Sequence, residues 1–200
     1  MGVRLDVTRA RVVAAVAGLA LALTSGLVAF CGLPVKQALV FERQAILNGD
    51  WWRLLTAHVV HLNAYHAVLN VAALGVLAGL HAWRPLPAIC FVSVTLVTAM
   101  GTGLGLLVVN PEVGYYVGLS GWLHGLAVMV AAGHWRWDRR FSVLLLAGLT
   151  TKLLLEGFYG ANPSTESAIG ARVVTEAHLY GALSATLGLG IARLLPNQPH

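Results

Sequence analysis

The stretch Gly118-Leu119-Ser120-Gly121-Trp122-Leu123-His124-Gly125-Leu126-Ala127-Val128-Met129-Val130 passes from glycines around a hydroxyl into a continuous apolar run. No Asp, Glu, Lys or Arg interrupts the chain from Gly118 to Trp135. That window, Leu119 to His134, reads as a membrane span that opens on a serine. A second apolar window opens on a histidine, His178.

The rest of the chain supplies the same solvent. Hydrophobic residues make up 58% of the 200 and charged residues 10%, and the mean hydropathy is +0.75. Too little charge is present to cover a soluble globule. A helix crosses a bilayer with roughly 20 apolar residues, and such windows fall at Val12 to Phe30, Tyr65 to Trp83, Leu86 to Val109, Leu119 to His134, Phe141 to Gly157 and Ala177 to Leu195. The expected fold is all-α, a polytopic bundle of six transmembrane helices forming one domain over residues 1–200.

Arg4, Arg9 and Arg11 before an apolar run also suit a secretory signal. The run is longer than the roughly 7 to 15 residues of a signal core, and Val28-Ala29-Phe30-Cys31-Gly32 is no small-x-small cleavage site, so a retained span is expected. With the N-terminus inside, Arg4, Arg9, Arg11, Arg84, Arg136, Arg139, Arg140 and Arg193 gather on the cytoplasmic side. Lys36, Arg43, Arg53 and Arg172 fall outside. The positive-inside rule therefore places both termini in the cytoplasm. On this reading the sequence pI of 9.7 reports topology, and Trp135-Arg136-Trp137 is an interfacial anchor; no basic groove or nucleic-acid module is present. Cys31 and Cys90 fall at opposite ends of their helices, so no disulfide is expected between them.

In this topology the fourth and sixth helices both enter from the outer face, which brings Ser120 and His178 to the same depth. Gly121 and Gly125 on one helix, and Gly181, Ala185 and Gly188 on the other, offer small surfaces for close approach. A hydroxyl beside an imidazole makes a nucleophile and its base. Acyl transfer also needs donors for the developing oxyanion, worth roughly 3 to 4 kcal/mol for one donor. His66 and Asn70, four residues apart near the start of the second helix, share a face toward the same cavity, and the N-terminus of the fourth helix adds the Ser120 backbone N–H.

Trp52-Arg53, His61, His66 with Asn70, Gly118-Leu119-Ser120-Gly121 and Ala177-His178 with Gly181 together resemble the six-helix rhomboid intramembrane serine proteases. The resemblance implies Ser120 as nucleophile, His178 as base, and His66 and Asn70 as oxyanion donors. Gly118 and Leu119 would line the oxyanion and substrate region, with His124, Gly121, Gly181 and His61 in support. The strings Gly-Leu-Ser-Gly-Trp-Leu-His-Gly and Glu-Ala-His-Leu-Tyr-Gly-Ala are similar to the bacterial rhombosortase branch. That branch implies a multi-pass protein of the bacterial inner membrane with its active site facing the periplasm. Its partners would be the membrane-spanning C-terminal sorting tails of exported proteins, each a Gly-Gly, an apolar helix and a basic end. No cofactor is implied.

The chain departs from the wider family in two places. A Tyr that many rhomboids carry one turn below the nucleophile is His124 here, where the same packing on the imidazole is expected. The acidic residue many carry at the inner end of the second helix is missing from Ala78-Gly79-Leu80-His81-Ala82.

Competing readings attach to several residues. Ser120 also suits a helix cap, His124 an in-helix partner of Ser120, and His58, His61 and His66 a metal set in a membrane transporter. His58 otherwise reads as an interfacial polar residue and His61 as a holder of water or of the substrate entrance. Lys152 and Glu156, four apart, read as a mutually neutralising pair, and Glu176 lies off the face of His178. The expected machinery is thus a Ser-His dyad. The connection from Gly32 to Val60 suits a segment lying in the outer interface, and the loop from Phe158 to Thr175 a movable cap.

Overall fold

The computed structural model describes the backbone of residues 2–194 and the side chains of residues 7–192. The side chains of Arg4 and Arg193, and Leu195, lie outside the described residues. The chain folds as α1 (Gly2–Phe30), α2 (Leu33–Leu39), β1 (Phe41–Glu42), α3 (Arg43–Leu47), α4 (Arg53–Thr56), a 3-10 turn (Ala57–Val59), α5 (Ala64–Trp83), α6 (Ala88–Val109), β2 (Tyr115–Tyr116), α7 (Ser120–His134), α8 (Arg139–Tyr159), α9 (Pro163–Ile169) and α10 (Thr175–Leu194). It is an all-α membrane protein, with 78% of the described residues helical.

Among the described residues four helices are long and apolar enough to cross a bilayer alone: Val7–Phe30 of α1, α5, α6 and α8. The remaining two windows correspond to α7 and α10, which do not qualify by length and composition. At 15 residues, α7 rises about 22 Å, short of the roughly 30 Å hydrocarbon core. Eleven of those residues are buried, because α5, α6, α8 and α10 all pack around it. A helix walled in by other helices meets little lipid. The opposite holds for α8, only 6% of whose apolar window is buried.

Glycines set the closest approaches. Carbon added at Gly125 would meet the Gly181 carbonyl oxygen at 2.8 Å and Ala185 Cβ at 3.2 Å, and at Gly181 it would run into the backbone of Gly121. The small faces of α7 and α10 therefore meet as the spacing predicts, except that Gly188 faces Val94 and Val97 of α6. The α6 face of α10 has its own pair of spaces, Gly101 against Ser184 and Gly105 against the Tyr180 ring.

The segment after α1 is an ordered set of short helices. Arg43 donates from its guanidinium to the carbonyls of Leu106, Leu107 and Asn110 and closes the C-terminal end of α6. Arg53 binds Asp50 at 3.0 Å and the carbonyls of Gln37 and Val40. Phe41 and Glu42 pair antiparallel with Tyr116 and Tyr115, and the Gly118 N–H donates to the Ala57 carbonyl at 3.0 Å. The strand leading into Ser120 is thus fixed from outside the bundle, while Trp51 and Trp52 stay about half exposed. At the other end of the bundle Arg84 and Arg139 lie over the rings of Trp137 and Trp135, an arrangement suited to an interfacial anchor.

Candidate active site

The starts of α5, α7 and α10 and the ends of α6 and α8 converge at one end of the bundle. There a cavity of about 460 Å³ is lined by Ser120, His178, His66, Asn70, His124 and Glu156 among mainly apolar neighbours. That volume lies within the range of small-molecule sites.

Ser120 is the first residue of α7, but Leu119 occupies the N-cap and no side chain caps the helix. The hydroxyl is instead directed at α10, with Oγ 3.0 Å from His178 Nε2. On its other side His178 places Nδ1 2.8 Å from Glu156 Oε2. A carboxylate only accepts, so Nδ1 carries the proton and Nε2 presents its lone pair to the serine O–H. His178 is 4% exposed, which holds this arrangement away from bulk water.

His124 stacks on His178, with centroids 4.1 Å apart and planes 11° from parallel. Its Nδ1–H donates to the Ser120 backbone carbonyl at 2.7 Å. The ring is thereby turned from the Ser120 hydroxyl and serves as a flat wall against the other imidazole. This is the packing expected at the position where many rhomboids have Tyr, and the ring meets the Ser120 backbone carbonyl, while the Ser120 hydroxyl is paired with His178.

Asn63 caps α5 by accepting from the His66 N–H at 2.9 Å, and His66 and Asn70 follow on the cavity side. Gly118, with φ of +115°, brings its backbone against them: a Cβ there would sit 2.7 Å from His66 Nε2 and 3.5 Å from Asn70 Nδ2. That φ is one that side-chain-bearing residues rarely adopt. Among the described residues Asn70 Nδ2 is buried and has no hydrogen-bond partner, which leaves a free donor on a residue lining the same cavity as Ser120. Tyr116 stays neutral because burial pushes its phenol well up, and its O–H donates to the Gly118 carbonyl at 2.7 Å. Nothing in the sequence singles out Tyr116; its buried hydroxyl beside the motif becomes visible only in the packing.

Other expected residues fall elsewhere. Leu119 is 1% exposed and packs into the apolar core, not the cavity. His61 lies edge-on behind His66, 5.0 Å between centroids, and does not line the cavity. His58 is buried and places Nε2 3.1 Å from the Ala99 carbonyl, a structural tie and not an interfacial group. Burial lowers the pKa of both rings, His61 to about 4 with the neighbouring His66 contributing.

The grouping with metal-ligand spacing, among the described residues, is His124, Glu156 and His178, not the set of His58, His61 and His66. Within that grouping Nδ1 and Nε2 of His178 and Nδ1 of His124 are already engaged, with Glu156, the Ser120 hydroxyl and the Ser120 carbonyl respectively. Glu176 pairs with Arg172 at 3.2 Å, off the His178 face as expected. Glu156 departs from the expectation of a closed pair: Lys152 takes one of its oxygens and His178 the other. Glu156 thus joins His178 and Ser120 in one hydrogen-bonded chain.

The class that fold and site define is an all-helical membrane protein holding a serine hydroxyl on an imidazole at the floor of a cavity. Residues 48–194 match the Rhomboid domain family, and this chain belongs to the rhomboid family, whose members are intramembrane serine proteases. The matched stretch contains Ser120, His178, His66 and Asn70. No curated protein matches the chain in sequence.

Proposed function

We propose that this protein is an intramembrane serine endopeptidase of the rhombosortase type. The observation that carries the reading is the 3.0 Å approach of Ser120 Oγ to His178 Nε2 inside a cavity that also presents His66 and Asn70. Hydrogen-bond reach between nucleophile and base is the geometry such chemistry requires.

In this mechanism a substrate helix unwinds at its glycines, which lack the side chains that favour helix. The exposed carbonyl carbon accepts Ser120 Oγ while the hydroxyl proton passes to His178 Nε2. The negative oxygen rests on the Ser120 N–H with His66 and Asn70. As the C–N bond breaks, His178 returns its proton to the leaving amine. Water, or a lipid-borne amine, then attacks the acyl-enzyme and restores Ser120. The substrates are the membrane-spanning C-terminal tails of exported proteins, each with Gly-Gly, an apolar helix and a basic end. In this reading α7 and α10 complete a six-helix bundle in the bacterial inner membrane. Both termini are cytoplasmic and the cavity opens toward the periplasm.

Co-expression of a reporter bearing such a tail tests the proposal. Processing by wild type that is lost in Ser120→Ala and His178→Ala at matched membrane levels supports it. Cleavage that persists in Ser120→Ala refutes the serine mechanism. Equal cleavage after the Gly-Gly is replaced by Leu-Leu would point to a general rhomboid protease acting on other single-span proteins. Mass spectrometry of the new C-terminus distinguishes hydrolysis from transfer.

A further inference from the structure

We propose that Glu156 is the positioning acid of a Ser-His-Glu triad, held in place by Lys152; the inference rests on Ser120 and His178 acting as nucleophile and base. Glu156 lies one turn from the end of α8, a helix whose apolar window is only 6% buried. A carboxylate on such a helix meets either lipid or the bundle. Its side chain is 15% exposed and turned inward, with Oε2 2.8 Å from His178 Nδ1. Oε1 meets Lys152 Nζ at 2.5 Å, and the lysine remains 47% exposed. The order Lys152, Glu156, His178, Ser120 is one continuous hydrogen-bonded chain across three helices, α8, α10 and α7.

Each link has a defined chemical consequence. By accepting from Nδ1–H, Glu156 fixes the His178 tautomer that leaves Nε2 free for the serine proton, and fixes the plane of the ring. As His178 takes that proton it becomes a cation, and a carboxylate 2.8 Å away stabilises it without itself being protonated. Lys152 occupies the second oxygen, which orients the carboxylate and lowers the cost of an anion within the span. The neighbouring acid Glu176 is committed to Arg172, leaving Glu156 as the acid that touches His178 among the described residues.

The test needs no peptide substrate. A fluorophosphonate phosphonylates an activated serine: the Ser120 Oγ–P bond forms, P–F breaks, fluoride leaves and the proton goes to His178 Nε2. The labelling rate constant is measured on the full-length protein in detergent for wild type, Glu156→Gln, Glu156→Asp and Lys152→Met, with Ser120→Ala as control. Glu156→Gln is expected to slow labelling by about 10²-fold or more, since an amide can donate to Nδ1 and favour the wrong tautomer. Glu156→Asp, which keeps the charge, recovers part of that loss, and Lys152→Met loses less than Glu156→Gln.

The decisive comparison is made in the His178→Ala background. There Glu156→Gln should change labelling by no more than about twofold, because a residue acting through His178 has nothing left to position. The same large loss with and without His178 would show a purely structural role and overturn the proposal. So would a wild-type rate in Glu156→Gln. If Glu156→Gln fails to fold, Lys152→Met takes its place: a loss that disappears in the His178→Ala background supports the proposal, and an undiminished loss overturns it. Labelling of Ser120→Ala at the wild-type rate would overturn the Ser120 reading itself, and this inference with it. Normal Ser120-dependent labelling with an unaffected Glu156→Gln would overturn the inference alone.

Discussion

Replacing Gly121 by alanine should separate the two halves of the site by a distance that the structure sets. A Cβ at this position would lie 2.8 Å from the Ala177 carbonyl oxygen, 2.7 Å from Thr102 Cγ2 and 3.1 Å from the Tyr116 hydroxyl. The threonine methyl can rotate away, whereas the carbonyl belongs to the backbone immediately before His178. Ordinary contact begins near 3.4 Å, so α10 must retreat by about 0.6 Å at Ala177. Motion along the serine–imidazole line would stretch the Ser120–His178 contact from 3.0 Å to about 3.6 Å, outside hydrogen-bond range. Misplacement by 1 Å can cost about 10²-fold in rate, and overpacking of a tight core costs about 1 to 3 kcal/mol. We expect Gly121→Ala to lose about 10- to 100-fold in fluorophosphonate labelling and to melt lower in detergent. Gly190→Ala on α10 is the control, since among the described residues nothing lies within 4 Å of its added carbon and helix propensity improves by roughly 0.8 to 1 kcal/mol. Wild-type labelling by Gly121→Ala, or an equal loss in Gly190→Ala, would refute the reasoning.

Three further outcomes follow from the geometry. Gly118→Ala combines a left-handed φ of +115° with a Cβ 2.7 Å from the His66 ring, a strain of about 1 to 3 kcal/mol, so reporter processing should fall more steeply than the melting temperature. His124→Ala removes the ring stacked at 4.1 Å on His178; with about 0.5 to 1.5 kcal/mol in such a pair, labelling should slow roughly two- to tenfold while His124→Phe stays near wild type. The folded His61 ring titrates near 4 against 6.5 for an unperturbed one, so between those values the unfolded chain binds a proton that the folded ring refuses. Stability is then lost as pH falls through that window, by up to about 3 kcal/mol. The drop in melting temperature from pH 7 to pH 4.5 should be smaller in His61→Asn than in wild type, and an unchanged drop would contradict this account.

Much of the arrangement is legible in the chain because membrane sequences carry two strong signals. Apolar windows mark α1, α5, α6 and α8 directly. Ionisable or hydroxyl residues at the starts of other windows, Ser120 and His178, stand out against an apolar background. The glycine spacing of 121 and 125 against 181 and 185 also anticipates a crossing that the packing contains. The windows of α7 and α10 illustrate the limit: α7 has only 15 residues, α10 has 20 but falls short of a lone span in hydropathy, and neighbouring helices pack around both. The short helices α2, α3 and α4 are equally hidden, since their order comes from long-range ties such as Arg43 to the end of α6 and not from periodicity. His58 reads as interfacial for the same reason; its acceptor, the Ala99 carbonyl, is distant in sequence.

Glu156 exposes the deeper limitation of reading charges pairwise. Lys and Glu at i and i+4 are a sufficient local explanation of each other, and nothing in their spacing says which face of the helix meets a neighbour. Yet neutralisation by Lys152 satisfies one carboxylate oxygen only, and the other, on a side chain only 15% exposed, needs a donor of its own. On α8 the apolar residues Leu144, Leu154 and Phe158 are largely exposed, so the lipid side offers that oxygen no partner. The bundle side offers the His178 Nδ1–H at 2.8 Å. The pairing with lysine and the contact with histidine are therefore complementary and not alternatives: Lys152 offsets the charge of the carboxylate within the span, and the second oxygen ties α8 to α10. The same contact sets the tautomer of the imidazole beside Ser120.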